Sequence, residues 1–396
     1  MADGGDLLVR GVGRLLTMAG APVDGPAAVV IRAGRVTWTG PESELPAQDE
    51  LPAYDAGGAC VVPGFVDPHT HLVWAGSRRD EFLARLAGRQ YDAGGIQVTV
   101  AATRSASSDE LVALAGRRLR RMLGNGTTTV EVKTGYGLAA AEELRLLDVV
   151  TAVADQTPVR VEPTYLGAHV VPAGRDRRDY IDEVVATLPA AAEHGARWCD
   201  VFCDRGAFQP AETERIMTAA RAAGLGLRMH AEQLAHTGAA ALAAQLGCAS
   251  ADHLEHITDT DAAALAAAGV VAVLLPTAAL SLRETGRVHV DRLRNARVRL
   301  ALATDCNPGT SWCESMPYAI QLGCLEFGLS VDEAMAAATA GAAAALRRTD
   351  VGHLGVDARG DLAVLEAEHE ADLVAHLGGR PVSVTVVGGV PWLADS

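Results

Sequence analysis

This 396-residue chain is poor in aromatics, at 4%, and it has no basic surplus, no Cys-x-x-Cys pair and no leader-like amino terminus. Each shortage excludes something. The 34 Lys+Arg against 49 Asp+Glu give a formal charge of −15, which repels a phosphate backbone, so nucleic acid is not an expected partner. The densest basic run, Arg117-Arg118-Leu119-Arg120-Arg121, lies in a helical pattern and reads as a solvated face. An anionic small substrate would need a local cationic anchor.

The seven cysteines are odd in number and scattered, which supports neither a disulfide framework nor a zinc ribbon. A reducing cytoplasm is the expected compartment, and the first residues lack the basic and apolar regions of a signal peptide. The uncharged stretch Ala262–Leu282 is long enough to span a bilayer. Gly269 and Pro276 interrupt it, so a helix followed by a buried strand is expected. What is present is a globular composition, with 49% hydrophobic residues and 41 Gly. The length suits two or three domains, or one large barrel with an attachment.

From residue 65 onward, apolar runs alternate with helical patterns. The expected strands are Phe65–His71, Thr128–Lys133, Val159–Tyr165, Trp198–Phe202, Gly226–His230, Ser250–His253, Val271–Leu275 and Arg299–Asp305. The helices include Asp109–Leu123, with Ser108 as its cap, Ala139–Ala154, Ala211–Ala223, Asp261–Ala268 and Val331–Leu346. Non-alternating apolar strands indicate a parallel sheet covered on its outside. Eight such units predict an α/β fold of the (β/α)8 TIM-like barrel type, although a doubly wound open sheet gives similar alternation. The segments Leu7–Leu16, Ala27–Trp38, Asp361–Glu366 and Pro381–Val390 are strand-like without helices. They predict a small β-sandwich domain built from both chain ends, residues 1–60 and 347–396, beside a catalytic barrel over 61–346.

Histidines and carboxylates fall at the carboxyl ends of the barrel strands, where this fold keeps its active site. In Asp67-Pro68-His69-Thr70-His71 the two histidines share one face of an extended strand. His230 ends the fifth strand, His253 the sixth and Asp305 the eighth. Taken singly, each is more often a buried polar residue or a cap than a ligand. Together, His69, His71, His230 and Asp305 make three imidazoles and a carboxylate around one metal, with a position open for water and His253 available to move a proton.

This His-x-His, His, His, Asp arrangement on strands one, five, six and eight resembles the amidohydrolase superfamily. The fourth strand lacks the bridging lysine of binuclear members, which favours a mononuclear site. Several blocks narrow the resemblance to the imidazolonepropionase family: Gly76-Ser77-Arg78 after His-x-His, Lys133-Thr134-Gly135-Tyr136-Gly137-Leu138, Leu166-Gly167-Ala168-His169, and Asp305-Cys306-Asn307-Pro308-Gly309-Thr310. The match runs in order from about residue 60 to 345. The resemblance implies opening of 4-imidazolone-5-propanoate to N-formimidoyl-L-glutamate in histidine degradation, one zinc or iron ion held by His69, His71, His230 and Asp305, and a homodimer.

It also implies that Arg78 holds the substrate's propionate, as suits a guanidinium fork. Tyr136 and His169 would touch the ring and product, while Asn307, Gly309 and Thr310 form a substrate-contacting loop. Without the family, Arg78 is a surface arginine and Asn-Pro-Gly a turn. Where the family often has Asp then Glu after His230-Ala231, this chain has Glu232 and Gln233. A neutral hydrogen-bonding role for Gln233 at the substrate is expected, and Cys306 is expected to be a core or rim thiol. Asp305, with His253, is expected to accept the proton of the attacking water. Two alternatives stay open: a heterocycle deaminase using Glu232 as proton shuttle, and a non-catalytic paralogue.

Overall fold

The computed structural model describes residues 4–47, 50–89, 95–283 and 289–393. Five strands come first: β1 Leu7–Leu15, β2 Val23–Arg32, β3 Arg35–Pro41, β4 Ala53–Asp55 and β5 Cys60–Pro63. A single residue, Gly64, then leads into eight parallel strands: β6 Phe65–Asp67, β7 Thr127–Lys133, β8 Arg160–Ala168, β9 Trp198–Cys203, β10 Gly226–Ala231, β11 Ser250–His253, β12 Val271–Leu274 and β13 Leu300–Leu302. Each pairs with its neighbour in chain order. Thr70 bridges Cys306, Asp305 N–H donates to the His69 carbonyl at 3.1 Å and His71 N–H to the Cys306 carbonyl at 3.0 Å, so the first and eighth strands meet and the barrel closes.

All seven residues of β7 are buried, as are all six of β9. Side chains fill the barrel on one face and meet helices on the other, hence the continuous apolar runs. Three strands end earlier than the sequence suggests. His69, His71 and Asp305 lie just beyond β6 and β13, in segments still hydrogen-bonded to neighbouring strands.

The terminal strands join β14 Leu362–Leu365, β15 Val382–Val387 and β16 Val390–Leu393 in one mixed sheet, ordered β16-β15-β14-β5-β1-β2-β3, with β4 also on β1. Val9, Val12, Val29, Ile31, Val61, Leu362, Val384 and Val386 form its buried core. The expected strand Ala27–Trp38 is instead two strands turning at Ala33-Gly34, both at positive φ, the geometry of a tight hairpin turn.

Three local expectations are corrected. Ser107, not Ser108, caps the helix Ser108–Gly124, its hydroxyl accepting from Glu110 N–H. In the basic run only Arg117, Arg120 and Arg121 are solvated. Arg118 is buried, stacks 3.3 Å from the Trp74 ring centroid and donates to the carbonyls of Leu72 and Trp74. It thereby fixes the segment that follows the His-x-His pair. The helix expected over Val331–Leu346 widens into a π-turn at Ala337–Gly341, where Gly341 packs against the Leu300 carbonyl too closely for any Cβ. The uncharged stretch 262–282 comprises a helix end, strand β12 and the short helix Pro276–Leu282. Among the described residues, no helix is long and apolar enough to cross a membrane.

Candidate active site

Strand geometry gathers five of the expected residues. The His69 ring centroid lies 5.3 Å from that of His71, 4.4 Å from His230 and 5.6 Å from His253. Asp305 Oδ1 is 3.6 Å from both His69 Nε2 and His71 Nε2, and His71 Nε2 is 3.4 Å from His230 Nε2. All five side chains are buried. Burial, reinforced by neighbouring cations, pushes His69 and His71 well below the ordinary histidine range, so both are neutral, the ligand form. Burial pushes Asp305 up to about 7, with the His253 charge opposing. Burial also disfavours a charge on His253, but Glu255, 3.9 Å from its Nδ1, and Asp305 outweigh it and raise its pKa.

The backbone carrying these groups is held in sparsely populated conformations. Glu232, His253, Leu254 and Asp305 all have positive φ, between 51° and 83°. Non-glycine residues persist there only where the surroundings over-determine them. The bonds doing so include Leu254 N–H to Ala231 O and His256 N–H to Glu232 O.

Beneath the rim lies a charge network that sequence reasoning missed. Asp252 Oδ2 is 2.6 Å from His69 Nδ1, and Asp200 Oδ1 is 3.1 Å from His230 Nδ1. Lys133 Nζ sits 2.7 Å from Asp200 and 2.8 Å from Glu131, while Arg228 pairs with Asp252 at 3.3 Å. All are fully buried. A buried carboxylate on the far nitrogen of a histidine fixes its tautomer and aims the other nitrogen at a metal. A signal existed: these charges occupy otherwise apolar strands, and Lys133 is the only lysine in the chain.

The donor set fits a metal. His69 Nε2 is buried without a hydrogen-bond partner among the described residues, while its Nδ1 is engaged. Ligand atoms about 2.1 Å from one tetrahedral ion stand roughly 3.4 Å apart. That is the spacing of His71 and His230, and close to that of Asp305 from His69 and His71. Three imidazoles with one carboxylate suit a borderline divalent ion.

Tyr136 and His169 form a wall against His71. His169 stacks on His71 at 5.1 Å and 20°, and the Tyr136 ring lies 6.0 Å from His71. Burial drives the His169 pKa down to about 3, so this ring is neutral. Gln233 is buried directly after the fifth strand, its backbone N–H on Asp204 at 2.6 Å. Glu232 faces elsewhere: its carboxylate accepts from Thr237 N–H and Ala240 N–H, at 2.7 and 3.1 Å, at the start of the next helix. That engagement removes the feature that kept a deaminase open.

Arg78 lines a cavity of about 650 Å³ together with Arg85, Phe82, Gly309, Thr310 and Trp312. Glu81 grips its Nε and Nη2 at 2.7–2.9 Å. Its guanidinium packs so closely on Gly309 that a Cβ there would clash. Asn307 is spent within its own loop, donating to Asp305 O and Thr310 Oγ1 and accepting from Gly309 and Thr310 N–H. Its side chain therefore shapes the loop. Thr310 joins the cavity to the metal end, with its Oγ1 3.4 Å from Asp305 Oδ2. Cys306 is wholly buried in the core, as expected.

Comparison with known proteins agrees with this constellation. The amidohydrolase family model matches residues 60–391. An imidazolonepropionase of Salinispora arenicola is 48% identical over 97% of this chain and 98% of its own length, and one of Mycolicibacterium smegmatis is 44% identical over 98% of each. The chain belongs to the imidazolonepropionase family of amidohydrolases. A solved structure of atrazine chlorohydrolase from Arthrobacter aurescens complexed with zinc, 18% identical, superposes with a TM-score of 0.75 over 98% of this chain and 95% of that one. At that identity the likeness bears on the fold alone. The site thus has two ends, a His/Asp cluster at the strand termini that could hold a metal and a cavity lined by Arg78 and the 308–312 loop.

Proposed function

We propose that this protein hydrolyses the ring amide C–N bond of 4-imidazolone-5-propanoate to N-formimidoyl-L-glutamate, a step of histidine degradation. The observation that carries the reading is the placement of Arg78 in a cavity that Thr310 links to Asp305. A small carboxylate-bearing ring can then reach a guanidinium and the metal end together. We assign His69, His71, His230 and Asp305 as ligands of one zinc or iron ion. Such an ion supplies an activated water near neutral pH and Lewis acidity toward the ring carbonyl.

The chain's own residues do the rest. Asp252 and Asp200 keep His69 and His230 in the tautomer that presents Nε2. Arg78, braced by Glu81, takes the propionate, and the wall of Tyr136 and His169, with Gln233, orients the ring. Asp305 takes a proton from the water as its oxygen bonds to the ring carbonyl carbon. His253, beside Glu255, steadies the developing oxyanion. The C–N bond breaks, the proton held by Asp305 passes to the departing nitrogen, and the former carbonyl carbon, still part of the opened chain, becomes a carboxylate as its remaining hydroxyl proton is released. We place the enzyme in the cytoplasm as a homodimer, with residues 61–346 as its catalytic unit.

The test is incubation of purified protein with enzymatically generated imidazolone propionate, following loss of its ultraviolet absorbance and measuring bound metal in the same sample. Turnover that scales with metal content is expected. A metal-replete sample without turnover overturns the reading.

A further inference from the structure

Glu143 lies in the first turn of the helix Ala140–Ala154, outside the ring of metal ligands, yet it is only 1% exposed. A buried carboxylate is costly unless its oxygens are satisfied. Here Oε2 accepts from Gly135 N–H at 2.8 Å, and Oε1 accepts from Gly137 N–H at 2.7 Å and Leu138 N–H at 2.6 Å. One side chain thus binds three amides of the turn that carries Tyr136. The turn does not hold its own shape: Gly135 has φ +107° and Leu138 φ +49°, on either side of Tyr136. A leucine at positive φ needs an external constraint.

Two glycines make the arrangement possible. A Cβ at Gly137 would come within 2.7 Å of Glu143 N and 2.9 Å of its Oε1, so only glycine lets the carboxylate lie under the turn. A Cβ at Gly135 would come within 2.8 Å of His169 Nδ1. That nitrogen is 3.0 Å from the Gly135 carbonyl, so the turn fixed by Glu143 also fixes His169, which stacks on His71.

We propose that Glu143 is a positioning residue for substrate recognition: by clamping the Gly135–Leu138 turn it sets Tyr136 directly, and His169 through the Gly135 carbonyl, against the metal end. This rests on Tyr136 and His169 facing the substrate. Glu143 acts only through them. The asymmetry of its contacts makes the effect graded, because glutamine keeps one carbonyl oxygen for Gly137 and Leu138 but turns an NH2 toward Gly135 N–H.

The experiment compares Glu143→Gln, Tyr136→Phe and the double variant, reading KM, kcat, bound metal and amide exchange over residues 135–138. For Glu143→Gln, KM should rise about tenfold, the scale of a lost charge-assisted hydrogen bond. Its kcat should stay within about threefold, with parental metal content and faster exchange across the turn. The double variant should have a KM well below the product of the two single effects, since both changes act through Tyr136 while only Glu143→Gln also acts through His169. Multiplying KM effects, or kcat and metal content falling together, would overturn the proposal. Should Glu143→Gln fail to fold, Gly137→Ala disturbs the same clamp from the other side and must reproduce the KM rise. If the parent itself does not turn over imidazolone propionate, the assigned reaction fails, while the exchange data still decide whether Glu143 holds the turn.

Discussion

At the metal end of the site His69 leans on Asp252, 183 residues away in the chain, whereas at the anchor end Arg78 leans on Glu81, three residues away. The same contrast runs through both groups. His230 is held by Asp200 from the neighbouring strand, with Lys133 reaching across from a third. Asn307 is held by its own loop. The metal end exists only when the barrel is closed, and its charges have no solvent to compensate a missing partner. The anchor end combines the local Arg78–Glu81 pair with long-range packing of Arg78 and Arg85 on Gly309, outside the buried charge network. Damage to the first should therefore appear in metal binding and kcat, and damage to the second in KM.

The largest effect is expected from Asp305→Ala, which removes a ligand and the proton acceptor together. Turnover should fall to background and bound metal should be lost, as checked by elemental analysis of the purified variant; normal activity would break the metal-end assignment. Next comes Arg78→Ala, for which KM should rise roughly 10–100-fold, the range for a lost bidentate charged contact, with kcat little changed. An equal fall in kcat would show that the two ends are not separable. Asp200→Asn should weaken metal affinity by about 10–100-fold while leaving KM of the fully loaded enzyme near the parental value, as read by competition with a chelator.

The smallest effect lies outside both ends. Arg294 holds the Glu333 carboxyl down at about 2, against an ordinary 4.5, but the pair is partly solvated. The folded-state pKa is depressed, so its stabilisation is present above pH 4.5 and is lost as pH falls toward 2. Glu333→Gln should cost about 1 kcal/mol or less at pH 7, and parent and variant denaturation midpoints should converge below pH 4.5.

The residues we assign as metal ligands were legible because each is a histidine or carboxylate placed where an apolar run stops, and periodicity finds such stops. Arg78 and Tyr136 were legible only through the family's blocks. Asn307 was legible in two ways, as a substrate-contacting residue through the family and as part of an Asn-Pro-Gly turn, and its side chain makes the bonds of that turn. Lys133, Glu131, Asp200, Asp252 and Arg228 were passed over because they are spread over four strands, Glu131 and Lys133 sharing one, and only barrel closure brings them together. Arg118 misled for the opposite reason. A helical run of arginines looks solvated until Trp74 and two carbonyls are found packed against one of them.

By itself the sequence determined the number and order of the parallel strands, a small β unit made from both ends, the residues at the strand tips and the family, while the structure showed that the β unit, expected as a sandwich, is one mixed sheet. These follow from local pattern, and local pattern is set by the chain's own covalent neighbours. Only the tertiary structure decided which carboxylate orients which histidine, that Glu232 caps a helix, and that Glu143 governs the Tyr136 turn. Those outcomes depend on buried groups finding partners across the barrel, where an unpaired charge is too costly to remain and the partner can lie almost anywhere in the sequence.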